Sequence, residues 1–357
     1  MIDTYKTFTE KSNYYKHSRV QSVNELKIEL KKFENFNCVF RGVKEAKFYN
    51  YSSAQVNTQG VYDDSKYTNA ILDEIALARR SKYISKMLRK LSHDNSDFQV
   101  LSLLQHYGFG TPILDFSYKV NYAIFFSLDG VSEQLNDNPE IIDNYVSLYF
   151  FNLDCPDHKP IQDIFALSIP DLISNHKEAQ RLYGKNYKGV SENTQESYSK
   201  IPYQEIKNIA SGGVTIGGRH GGTIYINDVD TGIYATYDIN NNRSNIQKGL
   251  FKFNPSPNDP YEVAAVKHYS EMCHYNYCID FPKSLKKELT EEFLEPYNIC
   301  SSTVYPNTKK DRMLMRALLT LPIDKNLRPR NKPSFISTGT WKKLNRLYNK
   351  KMKKLKK

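Results

Sequence analysis

The sequence lacks features that would place the protein in a membrane or outside the cell. No apolar run approaches the roughly 20 residues that a membrane-spanning helix needs, and the first ten residues lack the apolar stretch of a secretory signal. The 357 residues include only five cysteines, an odd number that favours a reducing compartment over a disulfide framework. We therefore expect an intracellular, cytoplasmic protein without a transmembrane segment.

Sequence motifs of common enzymes and metal proteins are also missing. The chain contains no Gly-x-Ser-x-Gly elbow, no His-Glu-x-x-His helix motif and no paired-cysteine ribbon. His268, Cys273, His274 and Cys278 lie close together, but their spacing matches no standard zinc pattern. The sequence thus predicts no metal site and identifies no cofactor.

Aromatic residues, by contrast, are abundant at 13%, mostly Tyr and Phe, and hydrophobic residues make up 39% of the chain. Such a composition can bury a core and argues against overall disorder. The length allows one large domain or two ordinary ones. We expect an α+β or mixed α/β fold with a single large core and a helical, basic C-terminal tail.

The net charge of +11 is unevenly placed. Residues 324–357 contain thirteen Lys or Arg and one acid, which leaves the remainder of the chain close to neutral. A polyanionic partner is therefore expected at the C-terminus.

This C-terminal segment has two predicted parts. Residues 327–334 contain Pro329 and Pro333 and indicate an extended linker, after which Thr338 or Thr340 can cap a helix. An apolar stripe with spacings of 3, 4, 4 and 3 follows, at Trp341, Leu344, Tyr348, Met352 and Leu355. The other faces are basic, which suits nucleic acid, an anionic membrane surface or an acidic partner, unless the stripe docks on the core. We predict nucleic-acid binding through Lys342, Lys343, Arg346, Lys350, Lys351, Lys353 and Lys354.

Hydrophobic periodicity and turn signals outline the elements of the core. Ser22 and Glu25 form a predicted capping box before a helix, and Gly108 is a predicted left-handed helix stop. Asp115 and Ser117 are candidate caps of a following helix. Helices are predicted at 69–91, 97–107, 118–128 and 283–295, strands at 37–42, 145–151 and 277–281, and a hairpin at 214–226.

Three separated segments carry a family resemblance. They are Phe40-Arg41-Gly42; the block Leu104-Gln105-His106-Tyr107-Gly108 with Thr111, Leu114-Asp115 and Ala123-Ile124-Phe125-Phe126; and Gln247-Lys248-Gly249-Leu250-Phe251 with the later Val304-Tyr305-Pro306. Together they resemble the FRG domain family, which is named for its Phe-Arg-Gly signature. The resemblance covers about residues 36–310, so we expect an FRG-like core there, with a helical N-terminal segment at 1–35 and a basic linker with an amphipathic helix at 311–357.

The chain departs from the family pattern at four positions. Gly110 stands where the family favours Pro, Pro112 where it favours Arg, Phe116 where it favours Trp, and Ser117 where it favours Thr. The resemblance implies an intracellular prokaryotic protein linked to mobile elements and anti-phage defence. It implies no established activity.

Polar residues within these segments are the candidate site. Arginine is rarely buried unless it is paired or binds an anion, so Arg41 predicts either a phosphate or carboxylate clamp or an ion pair with Asp115. His106, at a predicted helix C-terminus, is either an acid or anion contact or a core histidine. We expect an anionic ligand near Arg41, Gly42, Gln105, His106, Tyr107, Thr111 and Asp115, with Arg41, His106 and Asp115 as the catalytic candidates.

Other possibilities remain open from the sequence. The run Gly217–Gly222, with Arg219 and His220, is either an anion-binding nest or the tip of the predicted hairpin. An alternative function is that of a NAD-using ADP-ribosyltransferase-like toxin, because Arg41-Gly42 on a strand precedes a Thr- and Ser-containing turn. No convincing pair of catalytic glutamates follows. A pure interaction module is the third possibility.

Overall fold

The protein has a mixed α+β fold built on one twisted sheet. A computed structural model describes residues 2–36, 38–59, 61–91, 97–132, 138, 140–152, 214–216, 224–226, 246–254, 256–268, 276–305, 308–330 and 338–355. The strands of the sheet are β1 (Lys16–Arg19), β2 (Cys38–Val43), β3 (Ile113–Ser117), β4 (Tyr145–Asn152), β5 (Val214–Ile216), β6 (Ile224–Ile226), β7 (Gly249–Phe253) and β8 (Asn276–Pro282).

The strands are arranged in the order β1-β8-β4-β2-β3-β7-β5-β6. β1 runs parallel to β8, and all the other neighbouring pairs are antiparallel. β5 and β6 form the predicted hairpin, with Val214 opposite Ile226. The Gly217–Gly222 run at its tip lies outside the described residues.

Helices follow most of the strands. Their bounds are α1 (Phe8–Lys11), α2 (Val23–Lys31), α3 (Ser53–Thr58), α4 (Asp64–Arg80), α5 (Lys82–Leu91), α6 (Asp97–His106), α7 (Val120–Leu128), α8 (Tyr261–His268), α9 (Lys286–Leu289), α10 (Ser301–Val304), α11 (Lys309–Leu319) and α12 (Thr338–Leu355). Along the described part of the chain, none of these helices combines the length and the apolar character that crossing a bilayer requires.

The sheet has a narrow seam between β2 and β3. The two strands pair at a single position, Phe40 opposite Ser117, whereas β2 and β4 pair along six consecutive residues. Helix α7 covers β2 at this seam, and Gly42 makes the close approach possible. A Cβ atom at residue 42 would lie 1.8 Å from the carbonyl oxygen of Ala123 and 2.6 Å from the backbone nitrogen of Ser127.

The two faces of the sheet differ in their covering. On the face of Phe40, helix α7 buries Ala123 and Ile124 against residues such as Leu148 of β4. The same face, over β3 and β7, meets a helical layer of α4, α5, α6, α11 and α12. The opposite face, which carries Arg41, is covered by N-terminal residues such as Tyr15 and by Tyr261 at the start of α8.

The C-terminal segment is part of the core. Leu327 is completely buried, and its carbonyl oxygen accepts a hydrogen bond of 2.7 Å from the backbone nitrogen of Gly110. The apolar stripe of α12 is docked, since Leu344 and Tyr348 are 7% exposed and the Tyr348 hydroxyl donates to the Ile323 carbonyl at 2.9 Å. The extended linker predicted from residue 327 is therefore wrong for residues 327–330, and the stripe packs inward.

Several elements confirm the expectations and several correct them. Ser22 caps α2 by accepting from the Glu25 nitrogen, and Gly108 has a φ of 78°. The helix predicted at 69–91 is two helices, α4 and α5, which meet at Ser81 with its extended ψ of 110°. The segment at 113–117, expected to hold helix caps, is strand β3. Asp115 lies in its middle and Ser117 at its end, while Lys119 takes the cap position of α7.

The predicted boundaries at residues 36 and 310 do not coincide with breaks in the structure. β1, within the segment at 1–35, pairs with β8 inside the main sheet. α11, within the segment at 311–357, contributes the buried residues Leu314, Met315 and Leu318 to the same hydrophobic cluster as α6. Segments at both ends of the chain are thus integral to the core.

The Gly42→Ala substitution is expected to destabilise the protein by at least about 3 kcal/mol, because the added methyl group meets backbone atoms that cannot move aside. Gly339→Ala is the control, since no atom lies within 4 Å of that position, and its effect should stay within about 0.5 kcal/mol. Urea denaturation followed by circular dichroism measures both. A Gly42→Ala protein with unchanged stability would contradict the close packing of α7 on β2.

A second pair of substitutions tests the docking of α12. Leu344→Ala should lower the free energy of unfolding by about 2–4 kcal/mol, because it leaves a cavity in the core. Leu347, on the same helix, is 43% exposed, and Leu347→Ala should change the stability by less than about 0.5 kcal/mol. Equal, small effects in thermal melts would mean that the helix is detached in solution.

Candidate functional site

Arg41 lies at the seam of the sheet and holds its two halves together. Its Nη1 donates to the backbone carbonyl of Asp115 in β3 at 2.9 Å, and its Nε donates to Oδ1 of Asn50 at 3.0 Å. Burial lowers the pKa of the Arg41 guanidinium, while the negative charges of Asp115 and Glu262 oppose that shift. Arg41 and Asp115 therefore do meet, but the hydrogen bond goes to the main chain and not to the carboxylate.

The register explains this geometry. Asp115 lies two residues before Ser117, which pairs with Phe40, so the side chains of Asp115 and Phe40 lie on one face of the sheet and that of Arg41 on the other. The Asp115 carboxylate accepts from Nε2 of Gln105 at 2.6 Å. Burial raises the pKa of this carboxyl, against the lowering effects of Arg41 and of the Gln105 hydrogen bond.

Gln105 is the centre of a polar knot that joins α6, α3 and β3. Its Oε1 accepts hydrogen bonds from the hydroxyl groups of Ser53 and Thr111. The Ser53 hydroxyl also accepts from the backbone nitrogen of Thr111 at 3.0 Å. Thr111 is completely buried, so this knot fixes the turn that leads from α6 into β3.

The remaining predicted residues of this block have identifiable contacts. The His106 ring packs edge-on against Phe251, with ring centroids 5.2 Å apart, and Phe251 is the partner of Asp115 across β3 and β7. The Tyr107 hydroxyl donates to Oδ1 of Asp311 at 2.7 Å. His106 therefore lies beside Asp115 on the face opposite to Arg41. Whether any of the seven predicted residues binds a ligand stays a prediction.

A buried glutamate that the sequence analysis missed lies on the Arg41 face. Glu262, in the first turn of α8, is completely buried and accepts from the Tyr5 hydroxyl at 2.9 Å and from the Asn50 backbone nitrogen at 3.0 Å. Burial raises its pKa, against the effect of these hydrogen bonds. Asn50 also donates through Nδ2 to the Tyr15 hydroxyl at 3.0 Å. No local motif marks Glu262, since its partners lie more than 200 residues away.

Lys252 of β7 is a second buried charged residue that the sequence analysis missed. It is 2% exposed, its Nζ lies 2.9 Å from the Tyr261 hydroxyl, and it sits 3.3 Å from the centre of the Phe151 ring. Burial lowers the pKa of this amine well below its usual value. The Arg41 face thus concentrates ionisable groups that the main chain and tyrosine hydroxyls hold in place.

One departure from the family pattern has a structural reason here. The backbone N–H of Gly110 binds the Leu327 carbonyl, and proline, which the family favours at this position, has no N–H to donate. A Cβ atom at residue 110 would also lie 3.1 Å from the Leu327 side chain. Gly110 therefore fits the docking of this chain's own C-terminal segment.

The basic face of α12 forms a second candidate site. Leu344 and Tyr348 point into the core, and six basic residues of the helix are exposed: Lys342, Lys343, Arg346, Lys350, Lys351 and Lys353. Lys351 also donates to the Thr320 carbonyl at 2.8 Å. The helix contains no acidic residue, so its outward face carries charge of one sign.

Comparison with known proteins gives one family match, in the first half of the chain. Residues 36–136 match the family model described as FRG domain, which confirms the resemblance based on Phe40-Arg41-Gly42 and the block from Leu104. The matched region includes the seam, the polar knot around Gln105 and helix α7. No curated protein and no solved structure matches the chain.

Arg41→Met should destabilise the protein by about 3 kcal/mol, because it leaves Asn50 Oδ1 and the Asp115 carbonyl without their charged donor. The exposed Arg80, at the end of α4, provides the control Arg80→Met, whose effect should be below about 0.5 kcal/mol. Urea titrations of the two variants give the comparison. An Arg41→Met protein that is as stable as the parent but inactive in cells would instead assign Arg41 to a ligand.

Proposed function

Starting from an FRG-domain protein with a docked basic helix, we propose that this chain binds nucleic acid through the exposed face of α12. The supporting observation is the division of that helix into two faces. Its apolar stripe is already buried in the protein, with Leu344 and Tyr348 at 7% exposure. Its remaining surface consists largely of lysine and arginine, which can bind phosphate groups.

The basic residues form a continuous ridge. Lys342, Arg346, Lys350 and Lys353 recur at spacings of 4, 4 and 3, which places them on one side of a helix. With a rise of about 1.5 Å per residue, the ridge is about 16 Å long. Duplex DNA carries about one charge per 1.7 Å of axis, so a ridge of this length can contact several phosphates at once.

Neighbouring residues strengthen the positive field. Helix α11 packs beside α12 and exposes Arg312 and Arg316. The body of the chain is close to neutral, so this positive charge is not offset by an overall negative charge elsewhere. Electrostatic attraction to a polyanion is therefore directed to this side of the molecule.

Membrane binding fits the helix less well. An interfacial helix inserts its apolar face among the acyl chains, but Leu344 of α12 packs in the hydrophobic core and Trp341 packs against it. Only Leu347 remains as a large exposed apolar residue along the described part of α12. Insertion would require the helix to leave the core.

The biological setting and the core ligand are proposed from the family resemblance. We propose a role in anti-phage defence or in mobile-element biology, with the bound nucleic acid as the target or the signal. An anionic ligand near Arg41 remains part of this hypothesis. The NAD-using alternative gains no support from Glu262, because both of its carboxylate oxygens accept hydrogen bonds within a fully buried site.

Binding to duplex DNA should be independent of sequence and strongly dependent on salt, because lysines on the ridge contact phosphates and not base edges. With about six phosphate contacts, the slope of log K against log salt should be about −5. Changing Lys342, Arg346 and Lys350 together to Gln should make the slope less steep by about 2.7. Fluorescence anisotropy with a labelled duplex over a series of salt concentrations measures this.

The matched control changes three exposed lysines far from α12 in sequence, Lys16, Lys31 and Lys287, to Gln. It removes the same charge and should leave the slope unchanged. Loss of binding in both triple variants would indicate a general charge effect, and unaltered binding in the α12 variant would refute the proposal.

A further inference from the structure

A buried polar cluster lies at the edge of the sheet near β1, away from α12. It contains His17 of β1, Ser147 of β4, and Cys278 and Asp280 of β8. Ser147, Cys278 and Asp280 are fully buried, and the side chain of His17 is 8% exposed. These side chains take no part in the basic face of α12 or in the hydrogen bonds of Arg41.

The donor atoms of three of these residues converge. A ring nitrogen of His17, the sulfur of Cys278 and a carboxylate oxygen of Asp280 all lie within 4.8 Å of one another. Nε2 of His17 is 2.8 Å from Oδ2 of Asp280, and the Cys278 sulfur is 3.5 Å from Oδ1. Imidazole, thiolate and carboxylate are the donors that zinc prefers, with bonds of about 2.0–2.3 Å.

The ammonium group of Lys11, at the end of α1, contacts Asp280 and Cys278 of this cluster. Nζ is 2.7 Å and 2.9 Å from the two Asp280 oxygens, 2.8 Å from the Ser147 hydroxyl and 3.7 Å from the Cys278 sulfur. Lys11 is completely buried. A lysine is almost never buried this deeply unless it is paired, and here the positive group contacts two of the three candidate ligands, Asp280 and Cys278.

The cluster has the same net charge with the Lys11 ammonium inserted as it would have with a divalent metal ion bound. With Lys11 in place, one ammonium balances the carboxylate of Asp280, and the Cys278 thiol adds no charge. A divalent metal ion would balance that carboxylate and a Cys278 thiolate, with the thiol proton released to solvent. Exchanging Lys11 and the proton for the metal therefore leaves no unpaired buried charge.

We propose that His17, Cys278 and Asp280 form a site for a zinc-like divalent ion, and that the Lys11 ammonium takes the ion's place when the N-terminal segment is docked. Binding of the ion requires Lys11 to withdraw, and the widest donor separations to shorten by about 1 Å to reach tetrahedral geometry. The site is thus coupled to the position of residues 2–15, whose Tyr5 and Tyr15 pack on the same face of the sheet.

The spacing of these ligands hides the site from sequence analysis. His17 and Cys278 are more than 250 residues apart, yet they are direct partners in the parallel pairing of β1 and β8. Cys278 and Asp280 are two residues apart on one strand and therefore share a face. The sequence analysis grouped Cys278 with Cys273 and His274, which lie outside the described residues, and found no zinc spacing among them.

Cobalt(II) is the probe, because a thiolate ligand gives it a charge-transfer band in the near ultraviolet and tetrahedral coordination gives intense visible bands. Full-length Lys11→Met protein should bind cobalt at least about tenfold more tightly than the parent chain, with both sets of bands. Lys6→Met, a change of an exposed lysine in the same segment, should behave like the parent.

The double variant Lys11→Met with Cys278→Ser should lose the charge-transfer band and at least about tenfold in affinity. If Lys11→Met does not fold by circular dichroism, Lys11→Gln, which keeps a polar side chain, replaces it in both proteins. Identical cobalt affinities and spectra in the single and double variants would overturn the proposal, as would binding by the parent chain that is as tight as that of the Lys11 variant.

Discussion

The fold depends on how two halves of one sheet are joined at a seam of a single residue pair. Phe40 provides that pair with Ser117, Arg41 reaches across to the carbonyl of Asp115, and Gly42 lets helix α7 lie directly on the strand. Each of three consecutive residues therefore has a different physical task at one place: pairing, bridging and close approach. A side-chain bridge is needed because the strands make no second ladder pair there, and a buried carbonyl without a donor is costly.

The strand pairing also explains why polar and ionisable residues collect on one face. Arg41 in β2, Tyr149 in β4, Cys278 in β8 and His17 in β1 are successive partners across the sheet, so their side chains form one row. Burying such groups is unfavourable unless each is paired. Here Asn50 and the Asp115 carbonyl accept hydrogen bonds from Arg41, and Asp280 forms an ion pair with Lys11. Burial would raise the pKa of Asp280, but Lys11 and His17 lower it.

Local signals in the sequence predicted local structure well and long-range contacts poorly. The Ser22 cap and the Gly108 helix stop depend on neighbouring residues, and both are confirmed. Strand β3 was missed because Asp115 and Ser117 have the local character of helix caps. Its strand identity comes from pairing with β7, where Asp115 meets Phe251 at a separation of 136 residues. The same reason hid Glu262, whose hydrogen-bond partners come from the opposite end of the chain.

The docked position of α12 changes what its charge can do. An amphipathic stripe in a sequence does not identify the surface that it packs against. In the structure, Arg328 of the core holds α12 in place. The Arg328 guanidinium is 3.7 Å from the centre of the Tyr348 ring and donates to the Leu319 carbonyl and to Asn345. A helix fixed in this way loses little conformational entropy when phosphates bind, whereas a free tail would have to be ordered first. Leu327, next to Arg328, receives the hydrogen bond from Gly110 inside the FRG region. The basic helix and the seam are therefore parts of one packed unit, joined in part by a backbone N–H at residue 110 that a proline would lack.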